Sequence, residues 1–481
     1  MNVQNFIGGE FVDAVDHTTL ENLAPATGQL IGTIPRSKQP DVYRAVAAAR
    51  VAQHEWADLT LDDRADWLEA IADALESRSE ELARRESLDT GKPFSLAQRV
   101  DAKRSVENFR FFADFSREQE DLVFEMDDAT NIVHRRPIGI VGLITPWNLP
   151  LYLLSWKVAP ALLMGNVIVA KPSELTPLTA HLLAEVCQEI GLPDGVLNIV
   201  NGYGPEVGQQ ILEHEGIKAI SFTGGTATGR HVAATAAPMF KKLSLELGGK
   251  NATIILDDAE MNQAVQGAIR AGLTNSGQVC LCGSRILVHE SIADEFTQHL
   301  VAQVSSMKCG DPNHPETQVG ALINMAHVEK VESYINLAIQ EGGTILTGGT
   351  REMTGPPGPT PEGAFLRPTL ISGLSHLSRT AREEIFGPVV TIHRFSSDEE
   401  AIEMANATDY GLAGSIWTRD TERGHSIAQK IDTGIIWINT WLHRDLRTPF
   451  GGVKHSGVGR EGGSWSLGFF SEPLNVCIKH D

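Results

Sequence analysis

The sequence is poor in cysteine, in basic charge and in uninterrupted apolar chain. Five cysteines in 481 residues are too few, and odd in number, for a disulfide framework. Forty Lys and Arg stand against 61 Asp and Glu, a net charge of −21. A chain this acidic repels phosphate backbones and anionic lipid, which argues against nucleic-acid and membrane-surface roles but not against a local basic pocket. The longest apolar region, Ile138 to Ala170, is broken by Pro146, Pro150 and Pro160 and carries Asn148 and Lys157. Those prolines and that ammonium are costly in hydrocarbon, so the region reads as a buried strand–loop–helix–strand run. The start, MNVQNFIGGEF, lacks the basic residues and apolar stretch of a signal peptide, and the expectation is a cytoplasmic protein. The 16 histidines form no H-E-x-x-H or related cluster, so no metal is expected.

What is present is ordinary for a globular chain: 42% apolar and 21% charged residues. Domains of roughly 100–200 residues suggest two to four of them. The first 130 residues read as mostly helical after a short β segment. Apolar positions Val42, Ala45, Val46, Ala49 and Trp56 have helical spacing, and Leu68, Ile71, Leu75 and Leu82 continue it in a next helix. Gly91 and Pro93 supply a stop. Short β-rich runs then appear at Ile138–Thr145, Asn166–Lys171, Val196–Val200, Ala219–Thr223 and Leu243–Leu247. Between two of them, Thr176 is placed to cap a helix with Pro177 first in it and Gly191 ending it. Strands alternating with helices predict a parallel, doubly wound α/β sheet, whose ligands sit at the carboxyl ends of its strands. From Gly249 to Arg447 a second α/β region is predicted. Its helices lie near Asn262–Thr274, Ala293–Met307 and Val328–Gln340, and its strands at Arg285–Val288, Phe365–Leu370, Val389–Phe395 and Ile435–Ile438. Gly348 to Gly363 reads as a surface loop.

Several short stretches carry chemistry. Gly277-Gln278-Val279-Cys280-Leu281-Cys282 offers a thiol nucleophile, although both cysteines could equally be small buried hydrophobes. Glu246 sits in an apolar strand before two glycines; burial there would raise its pKa into the range of a general base. Asn148, between Pro146 and Pro150, is held in a stiff loop, and its amide could face a developing oxyanion. Gly202-Tyr203-Gly204 and Gly224-Gly225 follow strands but lack the G-x-G-x-x-G spacing. Lys171-Pro172-Ser173-Glu174 ends a strand, and its ammonium and carboxylate could hold the hydroxyls of a ribose while repelling a 2′-phosphate.

Taken in order, the motifs resemble the aldehyde dehydrogenase superfamily over essentially the whole chain. They are PWN at Pro146–Asn148, KPSE at Lys171–Glu174, FTG at Phe222–Gly224, LELGGKN at Leu245–Asn251, GQVC at Gly277–Cys280, EEIFGP at Glu383–Pro388 and PFGGVKHSGVGRE at Pro449–Glu461. The resemblance implies a Rossmann-type NAD-binding domain (1–117 and 138–248, with 448–466 returning to it) and an α/β catalytic domain (249–447). It also implies a small β oligomerisation element (118–137 and 467–481) and a homodimer or homotetramer. In that pattern Cys280 attacks the aldehyde, with Cys282 only its neighbour. Asn148 and the Cys280 N–H hold the oxyanion, and Glu246 activates the water that hydrolyses the thioester. Lys157 and Glu461 belong to the active-site proton and water network. NAD would be held by Thr145, Pro146, Trp147, Lys171, Ser173, Glu174, Gly204, Gly208, Phe222, Thr223, Gly224, Gly225, Leu247, Gly248, Glu384 and Phe386. CoA-acylating members lack the glutamate, so Glu246 implies hydrolysis.

Within the superfamily the sequence is most similar to the 2-aminomuconate and 2-hydroxymuconate semialdehyde dehydrogenases. RSVENFRFFA (Arg104–Ala113), PWNLPLYLLSWKVAPAL (Pro146–Leu162), CLCGSR (Cys280–Arg285) and WLHRDLRTPFGG (Trp441–Gly452) carry that likeness. It implies that Arg104 and Arg444 bind the carboxylates of a dicarboxylic semialdehyde, with Arg447 a competitor for the second role; guanidinium forks suit carboxylates. Ala102-Lys103 stand where the group usually has Ile-Pro, which bears on where the helix carrying Arg104 begins. Two other readings remain at this stage: a dehydrogenase of uncharged aliphatic or aromatic aldehydes, and a non-catalytic NAD-binding protein.

Overall fold

A computed structural model describes residues 2–117, 122–351, 354–355 and 363–480. Two large twisted sheets dominate it. The first has eight strands in the order Glu10–Val12, Asn5–Ile7, Leu197–Ile199, Val167–Lys171, Ile140–Ile144, Ile217–Thr223, Lys242–Glu246 and Gly457–Val458. Its five central strands are parallel. Ile140–Ile144 and Val167–Lys171 are buried at every position, the continuous apolar run expected of parallel strands covered on both faces. Helices Gln39–Asp58, Leu61–Ser77, Lys103–Ser116 and Pro150–Leu163 contribute to the core packed with this sheet.

The second sheet has seven strands, in the order Thr344–Thr347, Thr369–Ser372, Val389–Phe395, Arg285–His289, Ala252–Ile255, Ala413–Trp417 and Ile435–Ile438. All neighbours are parallel except the first pair. The chain passes from one sheet to the other through the five residues Leu247 to Asn251. A third, antiparallel sheet joins Leu122–Glu125, Ala129–Pro137 and Ser471–Lys479.

The α/β class and most elements agree with the sequence pattern, and the differences have physical causes. Leu82 does not continue the helix of Leu68, Ile71 and Leu75, because the chain turns at Arg78 and a new helix, Ser79–Thr90, begins. Thr176 is not the cap: the helix starts at Leu178 after Pro177. Its Leu178 N–H is taken by the Asp89 carboxylate at 2.7 Å, from another helix. The predicted strand Phe365–Leu370 is displaced to Thr369–Ser372, and Ala252–Ile255 and Ala413–Trp417 were not anticipated. Without a proline at 103, a π-helical turn Ala97–Ala102 runs directly into the Lys103–Ser116 helix. Residues 118–121 and 481 of the expected oligomerisation element lie outside the described residues, as do 352–353 and 356–362 of the expected Gly348–Gly363 loop.

One buried side chain ties the first sheet to the C-terminal segment. Asn166 Oδ1 accepts from the Ile138 and Gly139 N–H groups at 2.7 and 3.0 Å. Its Nδ2 donates to the Ala161 and Phe470 carbonyls at 3.0 and 2.7 Å. Asn166→Ala leaves buried backbone groups unpaired, at about 1–3 kcal/mol each. It should lower the melting temperature by roughly 5–10 °C in a thermal unfolding experiment; an unchanged melting temperature contradicts this role.

Candidate active site

Parallel alignment brings two threonines, a lysine and a glutamate to one edge. Thr145 follows the Ile140–Ile144 strand, and Lys171, Thr223 and Glu246 end their own strands. Strand register pairs Ile144 with Lys171 and with Phe222, and Thr223 with Glu246. This carboxyl edge is where ligands of doubly wound sheets bind. Against it lies a cleft of about 270 Å³ lined by residues that include Trp147, Asn148, Thr223, Leu247, Cys280 and Phe386.

Cys280 reaches the cleft through an unusual turn. After the Met261–Leu273 helix, Asn275, Ser276 and Gly277 take φ of 52°, 55° and 71° in succession. Left-handed backbone at two non-glycine residues is strained and persists only when its surroundings impose it. Here they do. Asn275 Nδ2 donates to the Asn148 carbonyl at 3.1 Å, and Ser276 Oγ to the Gly320 carbonyl at 3.0 Å. A Cβ at Gly277 would stand 2.1 Å from the Gly387 oxygen. Beyond the turn, Asn251 Nδ2 holds the Cys280 and Cys282 carbonyls at 2.7 and 3.0 Å. Asn148 Nδ2 spends one N–H on the Gln278 carbonyl at 2.9 Å; an amide nitrogen has a second to offer. Burial, with Glu246 and Glu384 adding to it, pushes the Cys280 thiol above its usual range, while its own backbone N–H favours the thiolate. Cys282 is buried, and that burial raises its thiol to about 12.

The Glu246 carboxyl is 4% exposed, and neither oxygen has a hydrogen-bond partner. A Cβ at Gly451 would stand 2.7 Å from Oε1, so only glycine fits beside it. Burial, then Glu461, raises its pKa well above the carboxylate range against Lys157, Arg460 and Arg444. Glu461 is satisfied by contrast: Lys157 Nζ donates to it at 2.5 Å and to Ser221 Oγ at 2.8 Å.

The dinucleotide candidates divide into two groups. Pro146, Trp147, Thr223, Gly224, Gly225, Leu247, Gly248, Glu384 and Phe386 line the cleft with Cys280. Thr145, Lys171, Ser173, Glu174, Gly204, Gly208 and Phe222 are not among its lining residues. Lys171 Nζ donates to Glu174 at 2.9 Å. Glu384 accepts from the Gly249 N–H at 2.8 Å, and a Cβ at Gly248 would come within 2.4 Å of its other oxygen. Gly225 caps the Thr226–Ala236 helix with no atom within 4 Å of a would-be Cβ. An open glycine at a helix N-terminus fits a pyrophosphate, so these residues suit a dinucleotide. His327 and Lys330 also line the cleft and were missed from the sequence. His327 Nε2 donates to the Phe386 carbonyl at 2.7 Å, and burial holds the ring neutral with a pKa of about 4. No local motif marks them, because they come from the Met325–Gln340 helix packed across the cleft.

Residues 11–476 match the model of the aldehyde dehydrogenase family. The chain belongs to that family. The dehydrogenase is 44% identical to 2-hydroxymuconic semialdehyde dehydrogenase of Pseudomonas sp. (strain CF600) over 99% of both chains. It is 42% identical to human 2-aminomuconic semialdehyde dehydrogenase over 99% of this chain and 98% of that one. An NAD⁺ complex of a Bacillus cereus aldehyde dehydrogenase superposes with a TM-score of 0.96 at 38% identity, covering 100% of this chain and 97% of that one. The enzyme is therefore an oxidoreductase of an NAD(P)-dependent family. Among the described residues, no group of His, Cys, Asp or Glu could hold a metal and no helix is long and apolar enough to cross a membrane.

In the cofactor-free enzyme the raised Cys280 pKa makes thiolate scarce at neutral pH. Its alkylation by iodoacetamide, followed by mass spectrometry, should speed up about tenfold per pH unit with no plateau below pH 9. A plateau near pH 7 would show an activated thiolate and contradict the geometry.

Proposed function

We propose that this enzyme oxidises a carboxylate-bearing semialdehyde of the 2-hydroxymuconate or 2-aminomuconate type to the acid with NAD. The observation that carries the substrate is a pair of guanidiniums flanking Tyr152. Arg104 lies over the Tyr152 ring at 5.4 Å, and Arg444 lies over Trp156 and Phe450 at 5.2 and 4.1 Å. Arg104 Nε and Arg444 Nη2 are buried without hydrogen-bond partners, although Arg104 Nη1 also pairs with Glu107 at 3.6 Å. Buried cationic nitrogens left unpaired are costly until an anion arrives. Arg444 also lowers the Glu246 pKa electrostatically, which supports a position near that carboxyl. Arg447 is exposed and bound to Asp445 at 2.5 Å, which favours Arg444 as the second carboxylate ligand.

In this reading the Cys280 thiolate adds to the aldehyde carbon, and the second Asn148 N–H and the Cys280 N–H receive the oxyanion. Donors of this kind contribute roughly 3 kcal/mol each to barrier lowering. NAD, when bound, supplies the hydride acceptor. The resulting Cys280 thioester is hydrolysed by a water whose proton passes to Glu246, leaving the carboxylic acid and the free thiol. Glu246 acts as a base only when ionised, so its raised pKa makes hydrolysis gain as pH rises above the ordinary carboxylate range. Lys157, fixed between Glu461 and Ser221, lies in the proton and water network behind Glu246. Lys171 and Glu174 would meet the adenosine ribose, and the Glu174 carboxylate disfavours a 2′-phosphate, hence NAD over NADP. The two sheets support the division into an NAD-binding domain (1–117, 138–248, 448–466) and a catalytic domain (249–447). The third sheet, with Leu122, Val123, Phe124 and Ile478 exposed, supports assembly into a homodimer or homotetramer.

An aldehyde panel read by NADH or NADPH absorbance tests this function. 2-Hydroxymuconate semialdehyde should exceed hexanal and benzaldehyde in kcat/KM, and NAD should exceed NADP. Arg444→Ala should cut kcat/KM for the semialdehyde roughly 30- to 100-fold, the loss of one charged hydrogen-bonded contact, and leave hexanal nearly unaffected. Equal losses on both substrates, or hexanal as the best substrate, would replace the dicarboxylate reading with the uncharged-aldehyde one. Glu174→Ala should narrow the NAD preference; an unchanged ratio would remove that residue from cofactor choice.

A further inference from the structure

A charged cluster lies beneath the Asn148 loop, out of reach of solvent. Lys92 follows Gly91, whose left-handed φ of 73° ends the Ser79–Thr90 helix. Lys92 Nζ donates to Glu86 Oε1 and Asp101 Oδ1 at 2.9 Å each, and to the Asn148 carbonyl at 3.0 Å. The three ionisable side chains are 0%, 0% and 1% exposed. All three ammonium protons thus have acceptors. Asp101 comes from the π-helical turn Ala97–Ala102, a rare element that tends to occur at functional sites.

Such a cluster is a poor way to stabilise a core. Desolvation costs several kcal/mol per ion, and well-packed apolar residues usually do as well or better. Glu86 Oε2 and Asp101 Oδ2 are left without partners, which adds to that cost. The carboxylates nevertheless outweigh burial and hold Lys92 above the ordinary lysine pKa, so it stays charged. Burial, opposed by Lys92, places Asp101 near 7. The ammonium's third bond leaves the cluster and ends on Asn148, and a charge-assisted bond of this kind is stronger than a neutral one. The same carbonyl receives Asn275 Nδ2 at 3.1 Å from the cysteine loop. With two donors on one oxygen, the Asn148 peptide plane is fixed from both sides.

We propose that Lys92, anchored by Glu86 and Asp101, is a positioning residue that aims the Asn148 amide at the oxyanion formed on the substrate. This rests on the oxyanion role assigned to Asn148 above. Lys92 touches neither substrate nor cofactor in this scheme; it acts through the backbone of the residue that does. Small displacements of a donor are enough to matter, because oxyanion stabilisation depends on preorganised geometry.

A double-mutant cycle on the full-length enzyme tests it, with 2-hydroxymuconate semialdehyde, or hexanal should the panel favour it. Asn148→Ala should lower kcat about 100- to 1,000-fold. Lys92→Met should lower kcat about 10- to 100-fold, a fraction of that effect, with KM and NAD affinity, read by tryptophan fluorescence, held within about twofold. In the double variant the losses should not multiply, and activity should stay within about threefold of Asn148→Ala alone. Should Lys92→Met fail to fold, Asp101→Asn, which keeps an acceptor for Lys92, takes its place in the same cycle. Losses that multiply, or wild-type kcat in Lys92→Met or its Asp101→Asn substitute, would overturn the positioning role alone. Full activity in Asn148→Ala would instead overturn the oxyanion reading beneath it.

Discussion

The Glu246 carboxyl is buried at the end of its strand with neither oxygen hydrogen-bonded, and the chemistry proposed for the site depends on that constraint. An unpaired carboxyl in such a place favours its neutral form. A few residues away in space, Glu461 is ionically paired with Lys157. The same functional group therefore has two electrostatic characters within one site. One can take up a proton from water, and the other holds an ammonium in place. Divergent environments for paired acids are a general way to divide acid–base work.

The joint between the two sheets explains why this happens here. The Lys242–Glu246 strand ends at the carboxyl edge of the first sheet, and five residues later the chain is in the second. Two of those residues have no room for a side chain: Gly248 lies against Glu384, and a Cβ at Gly249 would approach the Cys280 carbonyl to 2.6 Å. Asn251 then binds the cysteine loop and the Ala413 N–H, at 3.0 Å, in the second sheet. Glu246, Cys280 and Glu384 are thus held together by one short connection. The strained turn at Asn275 and Ser276 is the counterpart on the cysteine side, fixed by bonds to Asn148 and Gly320.

Much of this was legible in the sequence because it is local. Strand periodicity located the five parallel strands of the first sheet, and the strand-end positions of Lys171, Thr223 and Glu246 followed from it. What was not legible depends on distant chain. The strands Ala252–Ile255 and Ala413–Trp417 are only four and five residues long, and Gly414 interrupts the apolar run of the second. Thr176 has the right chemistry for a cap but loses that place to Asp89, from a helix far away in sequence. Lys92 looks like part of a helix stop; its partners Asp101 and Asn148 become visible only once the Ala97–Ala102 turn folds over it. His327 and Lys330 reach the cleft from a helix with no motif of its own.

The central claim is that one sulfur is acylated and then released by water activated at Glu246. Intact-mass spectrometry of Glu246→Gln, mixed with NAD and aldehyde, addresses it most directly. The account predicts about one NADH per site, a stable acyl adduct on Cys280 and steady-state turnover slowed by roughly 100-fold or more. Sustained turnover at the wild-type rate with no adduct would contradict it.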